Sequence, residues 1–209
     1  MSDLIQTLED KRIVPLVQSD DPNTALKISE ALLEGGLDVL EVVLRTDAAL
    51  ECLEAIVKEF PNAHVGAGTV LSVAHSQEVL RRGASFIVSP GLYEPSVDVA
   101  KSANVPILPG IATASELQRA WNMGLRTVKL FPASLVGGPN IIKALSSVFR
   151  DVRFMPTGGV KPANLKDYLD IPAVLACGGT WLTPKDAIEA NDFGKITQLA
   201  KDAIEIAQS

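Results

Sequence analysis

Short apolar runs alternate with amphipathic stretches along the whole chain. The runs lie at residues 13–17, 39–44, 64–68, 86–88, 106–108, 127–130, 153–155 and 173–176. Most are continuously apolar, the pattern of parallel strands covered by helices rather than of strands with one face in water. Between them, apolar residues recur at three- and four-residue spacing. That period predicts helices over residues 23–33, 48–60, 73–82, 96–102, 115–122, 140–148, 164–169 and 193–207. Asp21-Pro22 opens the first of these and Gly35-Gly36 ends it, while Gly83 and Gly124 stop two others. A short leading helix is expected over residues 2–10, with Ser2 as cap and Leu4, Ile5 and Leu8 on one face.

Strand–helix units repeated at roughly 20–26 residues are the pattern of a (β/α)8 TIM barrel, here with a short N-terminal helix. No linker or composition shift divides the chain, so residues 1–209 are expected to form one domain. The alternative is a doubly wound open sheet. It is disfavoured because the first strand-to-helix turn lacks a GxGxxG fingerprint.

Composition narrows the function more than the fold. The chain is 47% hydrophobic and 21% charged, an ordinary globular balance. Its formal net charge of -6 and the lack of a basic cluster argue against nucleic acid as a partner. Met1-Ser2-Asp3-Leu4 carries no basic leader, and no apolar run is long enough to span a bilayer. A cytoplasmic enzyme with no membrane partner is therefore expected. Cys52 and Cys177 lack CxxC spacing and read as reduced packing thiols. With only His64 and His75 beside them, no metal site and no cofactor is expected.

The candidate chemistry begins with Lys129 in the run Thr127-Val128-Lys129-Leu130-Phe131-Pro132-Ala133. Strand side chains alternate, so Lys129 shares a face with Thr127 and Phe131. Burying an ammonium is costly, and desolvation favours the free amine, which is a nucleophile for carbonyl carbon. The bland alternative is a lysine at a strand end, reaching back to water. In a barrel the site lies at the C-terminal ends of the strands. Those ends carry Glu41 and Arg45, Gly66-Ala67-Gly68-Thr69, Ser89-Pro90-Gly91, Pro109-Gly110, Lys129 with Phe131-Pro132, Pro156-Thr157-Gly158-Gly159 and Gly178-Gly179-Thr180. Glycine and proline punctuate any loop. Small residues at so many strand ends, with Glu41, Arg45 and Lys129 among them, point to a ligand that approaches the backbone closely.

Six segments carry a resemblance: Leu40-Glu41-Val42-Val43-Leu44-Arg45-Thr46, Gly66-Ala67-Gly68-Thr69-Val70, Ser89-Pro90-Gly91, Lys129-Leu130-Phe131-Pro132-Ala133, Pro156-Thr157-Gly158-Gly159-Val160 and Gly178-Gly179-Thr180-Trp181-Leu182. Together the chain resembles the 2-keto-3-deoxy-6-phosphogluconate / 4-hydroxy-2-oxoglutarate aldolases, class I enzymes that work through a lysine Schiff base. It departs at Ala114 and Ser115, where the family usually reads Pro-Thr, and at Thr180, where serine is common.

The resemblance implies roles. Lys129 would form the iminium with a pyruvate-like carbonyl, and Glu41 would move protons as general acid and base. Glu41 has the same strand parity as Val43 and Arg45, which puts all three on one face at different depths. Arg45 would clamp the substrate carboxylate with help from Thr69, since a guanidinium fork suits a carboxylate. Pro90 and Phe131 would wall the pocket. Gly158, Gly159, Gly179 and Thr180 follow the last two strands, the usual phosphate-binding loops of such barrels. Plainer readings stand beside these: a buried ion pair with Lys129 for Glu41, a solvated rim for Arg45, ordinary turns for the glycines.

The expected activity is cleavage of 2-keto-3-deoxy-6-phosphogluconate, a phosphorylated keto-deoxy sugar acid, to pyruvate and glyceraldehyde 3-phosphate. The alternatives are 4-hydroxy-2-oxoglutarate or a galactonate-series substrate for the same chemistry, a phosphosugar isomerase or epimerase, and a non-catalytic sugar-phosphate binder. A homotrimer is implied by the resemblance alone.

Overall fold

The computed structural model describes residues 2–209. The chain opens with α1 (Ser2–Lys11), β1 (Ile13–Val17), α2 (Pro22–Glu34), β2 (Val39–Val43), α3 (Ala49–Glu59), β3 (His64–Gly68) and α4 (Val73–Arg81). It continues with β4 (Ile87–Val88), α5 (Glu94–Ser102), β5 (Ile107–Leu108), β6 (Gly110–Ile111), α6 (Ala114–Asn122) and β7 (Thr127–Leu130). It ends with α7 (Gly138–Val148), β8 (Arg153–Pro156), α8 (Pro162–Leu169), β9 (Cys177–Gly179), α9 (Lys185–Glu189) and α10 (Phe193–Gln208).

The strands form a curled parallel sheet in two hydrogen-bonded parts, ordered β5-β4-β3-β2-β1-β9 and β6-β7-β8. The parts meet twice. β5 and β6 are separated only by Pro109, which has no N–H to donate to a ladder but accepts from the Lys129 N–H through its carbonyl at 2.9 Å. On the other side, single parallel bridges join Phe154 to Val174 and Thr157 to Gly178.

The alternation of side chains divides the interior in two. An outer layer packs Leu40, Val42, Ala67, Ile87, Val128, Leu130 and Phe154 against the helices. A smaller inner cluster holds Val14, Val39, Phe86, Val88, Leu108 and Met155. Leu4 and Leu8 of α1 join that inner cluster. α1 lies across strand starts: Glu9 pairs with Arg153 at 2.9 Å and Thr7 lies 3.3 Å from His64, at the heads of β8 and β3. The expected leading helix is therefore present, and it caps the end of the inner core away from the strand C-termini.

Three kinds of difference from the pattern read along the chain stand out. The last strand is Cys177–Gly179, not residues 173–176. The apolar run before it is buried, yet Val174 makes one bridge only, while Cys177, Gly178 and Gly179 pair in register with Ile13, Val14 and Pro15. Glycine lowers strand propensity, but pairing with β1 overrides it. Several helices also start one or two residues earlier than expected, because Pro22, Pro95, Pro139 and Pro162 sit in their first turns. There a missing N–H costs nothing and the fixed φ suits the helix. The five-residue α9 is too short for a periodic signal and was not anticipated.

Candidate active site

Lys129 lies in the middle of β7 and is 3% exposed, so it does not reach back to water. Its inward direction follows from parity, with Val128 and Leu130 taken up by the outer core. Glu41 occupies the inner face of β2 and is fully buried. β2 and β7 are not paired with each other, so the two side chains meet across the inner face. The Lys129 Nζ donates to Glu41 Oε1 at 3.2 Å. Among the described residues, Glu41 Oε2 has no partner, although it is buried. A charged buried pair survives when each charge is compensated by the other. The unused oxygen leaves hydrogen-bonding capacity open at the same spot. The Phe131 ring stands 5.5 Å from Nζ, a cation–π contact.

Arg45 does not continue the strand face. β2 ends at Val43, and the Arg45 N–H turns back to the Val43 carbonyl at 2.8 Å. Strand parity therefore stops two residues short of Arg45, and the expectation of a shared face with Glu41 is corrected by this turn. Its side chain is exposed, and Nε donates to Thr69 Oγ1 at 3.2 Å. Thr69 is held at φ +60, a left-handed conformation unusual for threonine. Arg45 and Thr69 thus come together at the ends of β2 and β3. Pro90, half-buried, follows β4, and its carbonyl lies so close to Gly110 that a Cβ there would sit 2.0 Å from it.

Gly158 and Gly159 take φ values of +95 and +81, which L side chains adopt only with strain. The Thr157–Gly178 bridge sets their loop beside Gly179 and Thr180. The Gly159 carbonyl accepts from Asn164 Nδ2 at 3.0 Å, anchoring the loop to the first turn of α8. Thr180 is exposed, and the Trp181 ring lies under Gly179, where a Cβ would meet it at 1.6 Å.

Thr157 received no role from the sequence. It is buried, its Oγ1 has no partner among the described residues, and it packs where a Cβ on Gly178 would come within 2.4 Å of that oxygen. The available signal was parity: Thr157 is two residues beyond Met155, which belongs to the inner cluster. Ala114 and Ser115 lie exposed in the first turn of α6, behind the capping residue Thr113.

Cys52 and Cys177 are buried and unbridged, in line with packing thiols. Burial, reinforced by the Asp21 charge, pushes the Cys52 thiol up to about 11. Burial also pushes Cys177 far above the usual range. Among the described residues, no group of three or more His, Cys, Asp or Glu side chains comes together as metal ligands would. No helix among them is long and apolar enough to cross a membrane.

Residues 4–199 match the family model for KDPG and KHG aldolase. The KHG/KDPG aldolase of Escherichia coli K12 is 46% identical over 94% of this chain and 92% of its own. The 2-dehydro-3-deoxy-phosphogluconate aldolase of Treponema pallidum is 41% identical over 99% of this chain and 98% of its own. Among solved structures, KDPG aldolase from Legionella pneumophila, with pyruvate captured as a covalent carbinolamine intermediate, superposes with a TM-score of 0.91. It shares 36% identity, covering 94% of this chain and 96% of that one. The Zymomonas mobilis enzyme with 3-phosphoglycerate gives a TM-score of 0.90 at 41% identity, covering 97% and 95%.

Proposed function

The chain belongs to the KDPG and KHG aldolase family, carbon–carbon lyases of the class I type, and from that premise we propose that it cleaves 2-keto-3-deoxy-6-phosphogluconate to pyruvate and glyceraldehyde 3-phosphate. The observation that carries this reading is the buried Lys129–Glu41 pair, an amine nucleophile and a proton carrier in contact on the inner face.

The Lys129 Nζ attacks the C2 carbonyl of the keto acid, giving a carbinolamine. Glu41, at 3.2 Å from that nitrogen, is placed to protonate the departing hydroxyl as the iminium forms. A carboxylate, Glu41 itself or through a water, then takes the C4 hydroxyl proton. The C3–C4 bond breaks, its electron pair moves into the iminium, and the aldehyde leaves. The resulting enamine takes a proton at C3 and water returns pyruvate and the free amine. Arg45 and Thr69, already hydrogen-bonded to each other, bind the substrate carboxylate, and Pro90 and Phe131 wall the pyruvate end. Gly158, Gly159, Gly179 and Thr180 bind the phosphate. Their support is the adjacency of the two loops and the positive φ of the glycine pair, the kind of turn conformation in which successive backbone N–H groups form an anion-binding nest.

The fold reading goes with it. The two bridges beside β9 and the Pro109 break between β5 and β6 are what a single eight-position (β/α)8 barrel gives when one ladder is reduced to bridges and one strand is interrupted by a proline. Residues 1–209 then form one domain. A homotrimer and a cytoplasmic location complete the reading and rest on the family likeness. The double name of the Escherichia coli relative favours 4-hydroxy-2-oxoglutarate as a second substrate for the same residues.

The test is borohydride reduction in the presence of pyruvate and a chelator, followed by peptide mass spectrometry. The expected result is one adduct, on Lys129, with parallel loss of activity. An adduct on another lysine, or protection by the chelator, overturns the assignment.

A further inference from the structure

We propose that Gly68 is a positioning residue for the Glu41 carboxylate, and that its missing side chain is what sets that carboxylate against Lys129. The proposal rests on the aldolase reading above and adds a residue to it.

Gly68 ends β3 and pairs in register with Val43 on β2, one step along the inner face from Glu41. It is fully within the protein, and its φ lies outside the left-handed region. Conformational freedom is therefore not the reason for a glycine here, since an alanine could adopt the same backbone. Space is the reason. A Cβ built on Gly68 would stand 2.1 Å from Glu41 Oε1 and 2.8 Å from both Cδ and Cγ. All of its three nearest neighbours belong to Glu41, so the end of that side chain lies flat over the Gly68 backbone. The oxygen in closest conflict is the one that accepts from Lys129.

This differs from two other inner-face glycines. At Gly110 a Cβ would strike the backbone of Pro90, and at Gly66 the ring of Phe86. Those neighbours are fixed parts of the wall, and a methyl group there would disturb packing. At Gly68 the neighbour is the far end of a flexible side chain with one oxygen unpartnered. The chain can yield by swinging the carboxylate away. A methyl group at Gly68 then costs placement of the proton carrier rather than the fold.

The experiment is a double-mutant cycle between Gly68→Ala and Glu41→Ala, with crystal structures of wild type and Gly68→Ala. Wild-type trapping by pyruvate and borohydride is done first, because its failure would count against the aldolase reading and not against the positioning role. Gly68→Ala is expected to lower kcat by about 10²-fold, the order of a lost general acid–base contribution, with KM within about threefold of wild type. In the Glu41→Ala background the same substitution is expected to change kcat by no more than about twofold, since residues acting as a unit are not additive. The crystal structure is expected to show the carboxylate beyond hydrogen-bond reach of Nζ. The kcat/KM pH profile of Gly68→Ala should take the shape of the Glu41→Gln profile, which a merely structural role would not produce.

Losses that multiply across the cycle, a wild-type kcat, or a carboxylate still in contact with Lys129 overturn the proposal. Should Gly68→Ala fail to fold alone yet fold with Glu41→Ala, the conflict is located at Glu41 and the proposal stands. Failure to fold in both backgrounds overturns it.

Discussion

Glu41 uses one oxygen on Lys129, and the other is buried without a partner among the described residues. The open oxygen suits a group that must also reach a substrate hydroxyl or a water. Glu41→Gln keeps the shape and removes the basic site. Its kcat is expected to fall by about 10²–10⁴-fold while the pyruvate adduct on Lys129 still forms, as steady-state kinetics and borohydride trapping will read. A near-wild-type kcat would exclude the proton-carrying role. Lys129 itself was legible in the sequence because a charged residue inside an apolar strand is costly unless used or paired. Its pairing with Glu41 was less legible, since the two are 88 residues apart and parity says only that both face inward.

At the scale of elements, two local designs can be separated from the chemistry. The first is the start of α6. Thr113 Oγ1 accepts from the Glu116 N–H at 3.3 Å, and Glu116 Oε2 accepts from the N–H groups of Ala112 and Thr113 at 2.8 and 2.9 Å. The Ala112 N–H, the largest cause, holds the Glu116 carboxyl below its ordinary value. A lowered folded value means the stabilisation is complete above the unfolded value and disappears as pH falls through the folded one. Glu116→Gln should therefore cost about 0.5–2 kcal/mol at neutral pH and progressively less as pH is lowered through the folded value, measured by urea unfolding along an acid pH series. A cost independent of pH would show that the carboxylate charge plays no part in the cap.

The second design is the Gly158-Gly159 loop. A Cβ at Gly159 would meet the Ser134 hydroxyl at 2.0 Å, and the positive φ adds strain, so even Gly159→Ala must move the loop. Its KM for the phosphorylated substrate should rise about tenfold or more, equivalent to about 1.4 kcal/mol, while KM for 4-hydroxy-2-oxoglutarate stays nearly unchanged. Equal losses on both would count against a phosphate role. Glycine-rich loops were visible along the chain. The Asn164 anchor and the ring under Gly179 were not, because they depend on side chains from neighbouring elements.

For the whole molecule, the inner core is closed at one end by α1 and carries the buried Lys129 and Glu41 toward the strand C-termini. Leu8 of α1 is buried with Val14, Phe86 and Met155 in that core. Leu8→Ala should lower stability by about 2–5 kcal/mol in urea unfolding, with an unchanged denaturant slope and with kcat retained at low temperature. A kcat falling in step with stability would mean that α1 and the Lys129–Glu41 pair are coupled through the shared core. The proposed division of stability from catalysis between the two ends of the strands follows from their parallel direction, which puts all the C-terminal loops on one side.

The alternation of apolar runs and helical periods determined the order and type of most elements, because strand and helix each impose their own period on burial. It also determined that Lys129 and Glu41 face inward. What it left open was decided by pairing and packing. Cys177–Gly179 became the last strand through its register with β1, against the propensity of its glycines. Arg45 left the strand face through one backbone turn to Val43 and met Thr69 from the next strand. The contact of Lys129 with Glu41, and the bare backbone of Gly68 on which that carboxylate rests, exist only once β2, β3 and β7 are curled around the same space. Such contacts join residues far apart in the chain, and no local period records which of them will touch.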